Sequence, residues 1–167
     1  MDEILTSRLR LRRARPDDLA AMHAVLSHPA AMRYWSTLPH SDLEQTRGWL
    51  AGMIHAPDDS LDFVVEYEGR VVGKAGMWRL PEIGFILHPD VWGLGLGHEA
   101  ADAVVRAAFA RPEVSELTAD VDPRNAASRA LLDRLGFVET GRAERTFLLG
   151  DEWCDSIFLA LKRPPAP

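Results

Sequence analysis

The run HPDVWGLGLGHEA at residues 88–100 sets glycines at 93, 95 and 97, between an apolar stretch and an Ala-rich one. Glycine at the mouth of a helix costs chain entropy and helix propensity, about 1 kcal/mol relative to alanine. The first amides of a helix have no partner within it and carry the positive end of the peptide dipoles, so they attract anions. Without side chains in the way, a bulky diphosphate could reach main-chain nitrogen there. Phosphate binding is therefore the chemistry predicted for this stretch, and a flexible loop with a sharp turn is the plainer alternative. Two familiar nucleotide patterns do not fit. A P-loop follows its last glycine with Lys-Ser/Thr, whereas His98-Glu99 follows Gly97. A dinucleotide fingerprint would need glycine at 98 and an early βαβ unit.

Other side chains could move protons. Histidine titrates near neutrality, which makes His88 and His98 candidates; His88-Pro89 reads as a strand-ending turn, and His98 lies on the phosphate side. Cys154 stands between Trp153 and Asp155 without a neighbouring histidine, and reads as a packed thiol rather than a nucleophile. Asn125 can cap a helix by accepting an amide from its first turn.

The elements that must position these groups alternate between two periods. Leu9 and Leu11 interleave with Arg8, Arg10 and Arg12, a half-buried strand with its arginines outward. Pro16-Asp-Asp opens an amphipathic helix with the stripe Leu19, Met22, Leu26. A second helix spans 43–54 with Trp49, Leu50 and Met53 inward, and an aromatic-rich loop, AAMRYWSTLPHS, joins the two. DFVVEYE and VVGKAGMW form a hairpin about Glu68-Gly-Arg. EIGFILH (82–88) is a further strand, followed by the glycines and a helix from about 96 to 110. A strand near 117–121, a helix from 125 to 135 with Gly136 as its carboxyl cap, and a hairpin about Gly150-Asp-Glu complete the chain. One α/β domain, residues 7–163, is the economical organisation.

Bulk properties set outer bounds. The 167 residues carry a net charge of −6, are 47% hydrophobic and 26% charged, and include one cysteine. A chain of this length can bury a core and is too apolar to be disordered. Lacking a basic excess, it has no electrostatic footprint for nucleic acid, and the acidic balance slightly favours a cationic partner. A single cysteine excludes an internal disulfide or a multi-cysteine metal site. MDEIL is no secretory signal and no run reaches the ~18 residues of a membrane helix, so a cytoplasmic protein without membrane partners is expected.

WGLGLGHEA resembles motif A of the GNAT N-acetyltransferase superfamily, with Trp92 where Arg or Gln usually stands, as in its branch of ribosomal-protein N-terminal acetyltransferases, the Rim type. TSRLRLRRARPDDL resembles that branch's opening, DPRNAASRALLDRLGF its motif B, and ETGRAERTFLLGDEWCDSIFLAL its final hairpin, at Arg145, Gly150, Trp153 and Asp155. The resemblance covers some 155 residues. It implies the acyl-CoA N-acyltransferase fold, a central twisted mixed sheet with splayed strands four and five and about four flanking helices. It also implies acetyl-CoA as donor, CoA as product, and a primary amine as acceptor, on a protein N-terminus or a small molecule, attacking through a tetrahedral intermediate. A non-catalytic acyl-CoA-binding module and an antibiotic or polyamine acetyltransferase are the rival functions, and the expected assembly is a monomer or a homodimer.

By the same resemblance, EIGFILH is strand four and LTADV strand five. Backbone groups of Phe85, Ile86 and Leu87 would pair with the pantetheine arm, and Trp92 would contact the cofactor. The amides of Gly93, Leu94, Gly95, Leu96, Gly97 and His98 would hold the pyrophosphate, while amide hydrogen bonds to the acetyl oxygen would act as an oxyanion hole. Glu82 stands where the family often places a general base; Glu144 is a second carboxylate near the acceptor end. The family's acid, a tyrosine seven positions after Asn125, is Leu132 here, which leaves Ser128 as the substitute. Asn125 has a CoA contact as well as a cap to choose from, Ser128 is alternatively a polar first-turn residue, and Arg129 is either a 3′-phosphate ligand or a solvated helix charge. Arg33, Tyr34 and Trp35 are wall residues for the acceptor, or an aromatic packing cluster.

Overall fold

Leu9 and Leu11 turn inward from a four-residue strand, β2 (Leu9–Arg12), in the computed structural model, which describes residues 1–165. A short strand, β1 (Glu3–Leu5), pairs antiparallel with it, Ile4 opposite Leu11. The sequence reading has no strand there, because the three residues Glu-Ile-Leu are too few to show a period. Arg12 also departs from the pattern that set the arginines outward. It is only 7% exposed and donates to both Asp18 oxygens, at 2.9 and 2.8 Å, and to Glu66 at 2.7 Å. A buried cation is tolerable only when paired in this way.

A 3₁₀ turn at Pro16–Asp18 leads into α1 (Leu19–Leu26). The α2 helix (Leu43–Ile54) begins at Asp42, whose carboxylate accepts the Gln45 amide at 2.8 Å. Leu50 and Met53 are buried, and Trp49 packs at the edge of the same cluster. β3 (Leu61–Tyr67), β4 (Arg70–Met77) and β5 (Gly84–Leu87) extend an antiparallel sheet of order β1-β2-β3-β4-β5. Leu11, Phe63, Val65 and Ala75 pack with Leu96 and Val104 of α3 (Leu96–Phe109) in the larger core cluster. Val64 and Ile86 pack with Met22, Leu26 and Leu50 in a second cluster under α1 and α2. The sheet is thus covered by helices on both faces, as a mixed α/β fold requires.

β6 (Glu116–Val121), α4 (Ala126–Arg134), β7 (Val138–Leu149) and β8 (Glu152–Lys162) follow, the strands forming an antiparallel sheet of order β6-β8-β7. Because β1 precedes them, the strands expected as fourth and fifth are β5 and β6. Among the described residues the two sheets join through a single parallel bridge, Glu82–Thr118. There the Ile83 amide donates to the Thr118 carbonyl and the Thr118 amide to Pro81, both at 2.9 Å. Past the bridge β5 stays paired with β4 along one edge, and its other edge opens into a gap facing β6. Among the described residues no helix is long and apolar enough to cross a membrane.

Candidate active site

The gap begins where β5 ends. His88 closes the strand, its Nδ1 accepting the Asp90 amide at 3.1 Å and so capping a 3₁₀ turn at Pro89–Val91. Trp92 then folds back, and its indole N–H donates to the Leu87 carbonyl at 2.9 Å. This contact ties the loop to the strand end and occupies one acceptor site of a carbonyl expected to face a ligand. Gly93 and Gly95 follow with left-handed φ values of 78° and 77°. Gly95 is the N-cap of α3 and makes no side-chain cap, while its carbonyl accepts the Glu99 amide at 3.1 Å. The amides of Leu96, Gly97 and His98 therefore face outward from a helix end that nothing caps, which is the arrangement that favours an anion.

The three glycines have different local reasons. A Cβ at 93 would meet no protein atom within 4 Å, and at 95 only Arg8 at 3.5 Å, so these two answer to backbone conformation. A Cβ at 97 would lie 3.2 Å from a Leu131 methyl, so Gly97 answers to the approach of α4.

A cavity of about 730 Å³ runs along this loop. Of the residues singled out from sequence, Phe85, Ile86, Leu87, Trp92, Gly93, Gly95, Leu96, Gly97 and His98 line it. Asn125 and Ser128 border it from α4, and Arg33, Tyr34 and Trp35 from the opposite wall. Leu94, Arg129 and Glu82 do not. Arg129 donates instead to the Pro123 carbonyl at 2.9 Å. Arg134 lies on the wall in its place. Ala127, Leu131 and Arg134 recur at helical spacing and so share a face of α4.

Asn125 does cap α4, its Oδ1 accepting the Ser128 amide at 3.2 Å. That bond uses the amide of Ser128 and leaves its hydroxyl for other work. Leu132 is 2% exposed within the larger core cluster, so position 132 offers the cavity no polar group. Glu82 sits at the bridge where the sheets part. Its residue surface is open, yet local desolvation, and then the charge of Asp120, holds its carboxyl above the ordinary carboxylate range. Such a shift makes a carboxylate a stronger base. Glu144 is exposed on β7, and Cys154 is 1% exposed with the Arg124 guanidinium 3.8 Å from its sulfur.

The acceptor wall is charged as well as aromatic. Arg33 pairs with Glu152 at 3.2 Å and lies 4.9 Å from the Tyr34 ring centre. Arg124, from the turn before α4, joins Glu152 and Asp122 and lies 5.6 Å from the same ring. Arg124 first, and then Arg33 in the case of Glu152, holds both carboxyls below their ordinary range. Two guanidiniums thus lie within cation–π range of the Tyr34 ring. Sequence reasoning had no means of joining Arg124 to this wall, because Glu152 lies 28 residues away on β8 and Tyr34 is farther still in the chain.

Comparison with known proteins agrees with this architecture. A family described as "Acetyltransferase (GNAT) domain" matches residues 8–138. The uncharacterized N-acetyltransferase p20 of Bacillus licheniformis is 25% identical over 151 residues, 84% of this chain and 85% of that protein. The ribosomal protein uS5-alanine N-acetyltransferase of Escherichia coli is 32% identical over 104 residues, 58% of this chain and 54% of that one. The solved structure of RimL, a ribosomal L7/L12 alpha-N-protein acetyltransferase in complex with coenzyme A, superposes with a TM-score of 0.83 at 20% identity, over 96% of this chain and 98% of that one.

Proposed function

The chain belongs to the GNAT acetyltransferase family, and from that premise we propose that it transfers the acetyl group of acetyl-CoA to a primary amine, on a protein N-terminus or a small molecule. One observation carries the reading: an open strand edge leads into an uncapped helix end, and a single cavity spans both. CoA has matching parts, an amide-bearing arm that can add to a strand edge and a diphosphate suited to first-turn amides. The coenzyme A held by RimL supports the same class of donor here.

When bound, acetyl-CoA supplies the activated acyl group as a thioester. The chain's own groups do the rest. Main-chain groups of Phe85 and Leu87 hold the arm, Leu87 with the free lone pair of its carbonyl, whereas the register with β4 pairs the Ile86 N–H and C=O with Lys74. The amides at 96–98 receive the diphosphate, with Arg134 beside it. Glu82 takes the proton that an acceptor ammonium must lose before it can attack. It acts through water, since its carboxylate does not line the cavity. The Ser128 hydroxyl holds a proton for the departing sulfur. Arg33, Tyr34 and Trp35 wall the acceptor.

The test is thiol release on mixing pure protein, acetyl-CoA and a panel of amines and N-terminal peptides. Turnover with at least one acceptor, lost in Glu82→Gln while acetyl-CoA still binds, is the expected result. Normal acetyl-CoA binding with no turnover across the panel refutes transfer and leaves a binding module.

A further inference from the structure

Leu94 is the one residue of the run 92–98 that does not line the cavity. Its carbonyl accepts a hydrogen bond from Arg8 Nη1 at 2.8 Å, and Arg8 also lies off the cavity wall. Arg8 is itself held: its Nε donates to Glu99 Oε2 at 2.7 Å and its amide to Oε1 at 2.9 Å. The hydroxyls of Thr6 and Ser7 donate to the same Oε1, at 2.6 and 3.1 Å. Burial pushes the Glu99 carboxyl up, but these four donors outweigh it and bring it down to about 2. Glu99 is thus a fixed anion that anchors the amino-terminal segment to the first turn of α3.

A trans peptide points its C=O and the following N–H in opposite directions. With the Leu94 oxygen tied toward Arg8, the Gly95 N–H is turned the other way, and Gly95 does line the cavity. Glycine accepts either sign of φ at little cost, so Gly95 by itself does little to stop the Leu94–Gly95 peptide from rotating. A tether from outside must choose between the two orientations. The geometry points to Arg8 as a positioning residue: anchored by Glu99, it fixes the Leu94–Gly95 peptide so that the Gly95 amide faces the diphosphate of the acyl donor. This rests on the reading of the cavity as the acetyl-CoA site. Its consequence is that the turn joining β1 to β2, some 90 residues away in sequence, sets donor affinity without lining the site.

The experiment titrates the wild-type protein, Arg8→Met, Arg8→Lys and Glu99→Gln with acetyl-CoA and with S-acetylpantetheine, which lacks the diphosphate. Losing a charge-assisted hydrogen bond and the orientation it selects should weaken acetyl-CoA about tenfold in Arg8→Met. S-acetylpantetheine should bind within about twofold of wild type, and kcat at saturating acetyl-CoA should hold, because a tether on one peptide leaves the arm and the reacting groups untouched. Lysine cannot span Glu99 and the Leu94 oxygen together, so Arg8→Lys should recover little. Equal weakening of both ligands, no weakening at all, or full recovery with lysine (the mark of a bare charge acting on phosphate) each overturns the proposal. If Arg8→Met melts out, Glu99→Gln decides by the same criterion, with its folding checked by thermal midpoint: a smaller loss confined to acetyl-CoA is expected, and an equal or absent loss overturns. A wild-type protein that binds acetyl-CoA no better than S-acetylpantetheine sinks the acetyl-CoA reading itself, and the tether with it.

Discussion

Alanine at each of the three loop glycines should give two large losses of stability and one small change. At 93 and 95 the backbone is left-handed, at φ 78° and 77°, which costs an L-residue about 1–2 kcal/mol. No close contact adds to that cost, since a new Cβ would meet nothing at 93 and only Arg8 at an ordinary 3.5 Å at 95. For a chain of this size the loss corresponds to a thermal midpoint lower by about 2–8 °C. Position 97 is helical, so alanine gains about 1 kcal/mol of propensity. Its Cβ would stand 3.2 Å from the end of the Leu131 side chain, which must yield by a few tenths of an ångström. Gain and strain offset, and the net change should lie within about 1 kcal/mol of zero. Urea unfolding of the three variants, compared at equal m, measures the differences. If Gly97→Ala proves as damaging as the other two, or Gly93→Ala costs nothing, the conformational account of the loop is wrong.

Three further outcomes follow from the site. Glu82→Gln should cut turnover by about 100-fold or more. In wild type the rate should fall as acid titrates Glu82 through a value above 4.5, a limb that the variant's pH–rate profile should lack. Ser128→Ala should lower kcat with little change in acetyl-CoA affinity and no loss of stability, because the cap of α4 uses the serine amide; steady-state kinetics and a melting curve separate the two effects. Glu99 titrates near 2 when folded against 4.5 unfolded, so its contribution is present above pH 4.5 and is lost as pH falls toward 2. The full shift would be about 3 kcal/mol, reduced by solvent at Arg8 to about 1–2 kcal/mol. Glu99→Gln should be less stable by that amount at pH 7, and urea unfolding should show the difference vanishing near pH 2.

What could be read in the sequence depended on period. The α2 helix, with its run of apolar positions and Asp42 cap, falls on 43–54 as expected, and α3, the hairpins and β6 lie close to their expected places. Three-residue β1 has too few positions to show alternation, and Arg12 breaks the polar face because Asp18 and Glu66 neutralise it across space. The same limit governs the site. The glycines and Asn125 announce themselves because a local backbone demand fixes their type. Arg8 and the Arg124–Glu152 pair matter through contacts distant in sequence, and nothing beside them in the chain reveals those contacts. The exchange of Arg129 for Arg134 on the cavity wall is a matter of helix face, which spacing from Ala127 resolves once the face is known.

The central claim is that main-chain nitrogens at the start of α3 receive the diphosphate of the acyl donor. Titrating ¹⁵N-labelled protein with coenzyme A tests it most directly. Amide resonances of Gly95, Leu96, Gly97 and His98 should shift most, and S-acetylpantetheine should leave them nearly still while moving Phe85 and Leu87. Saturable binding of coenzyme A that leaves those four amides unmoved would contradict the account.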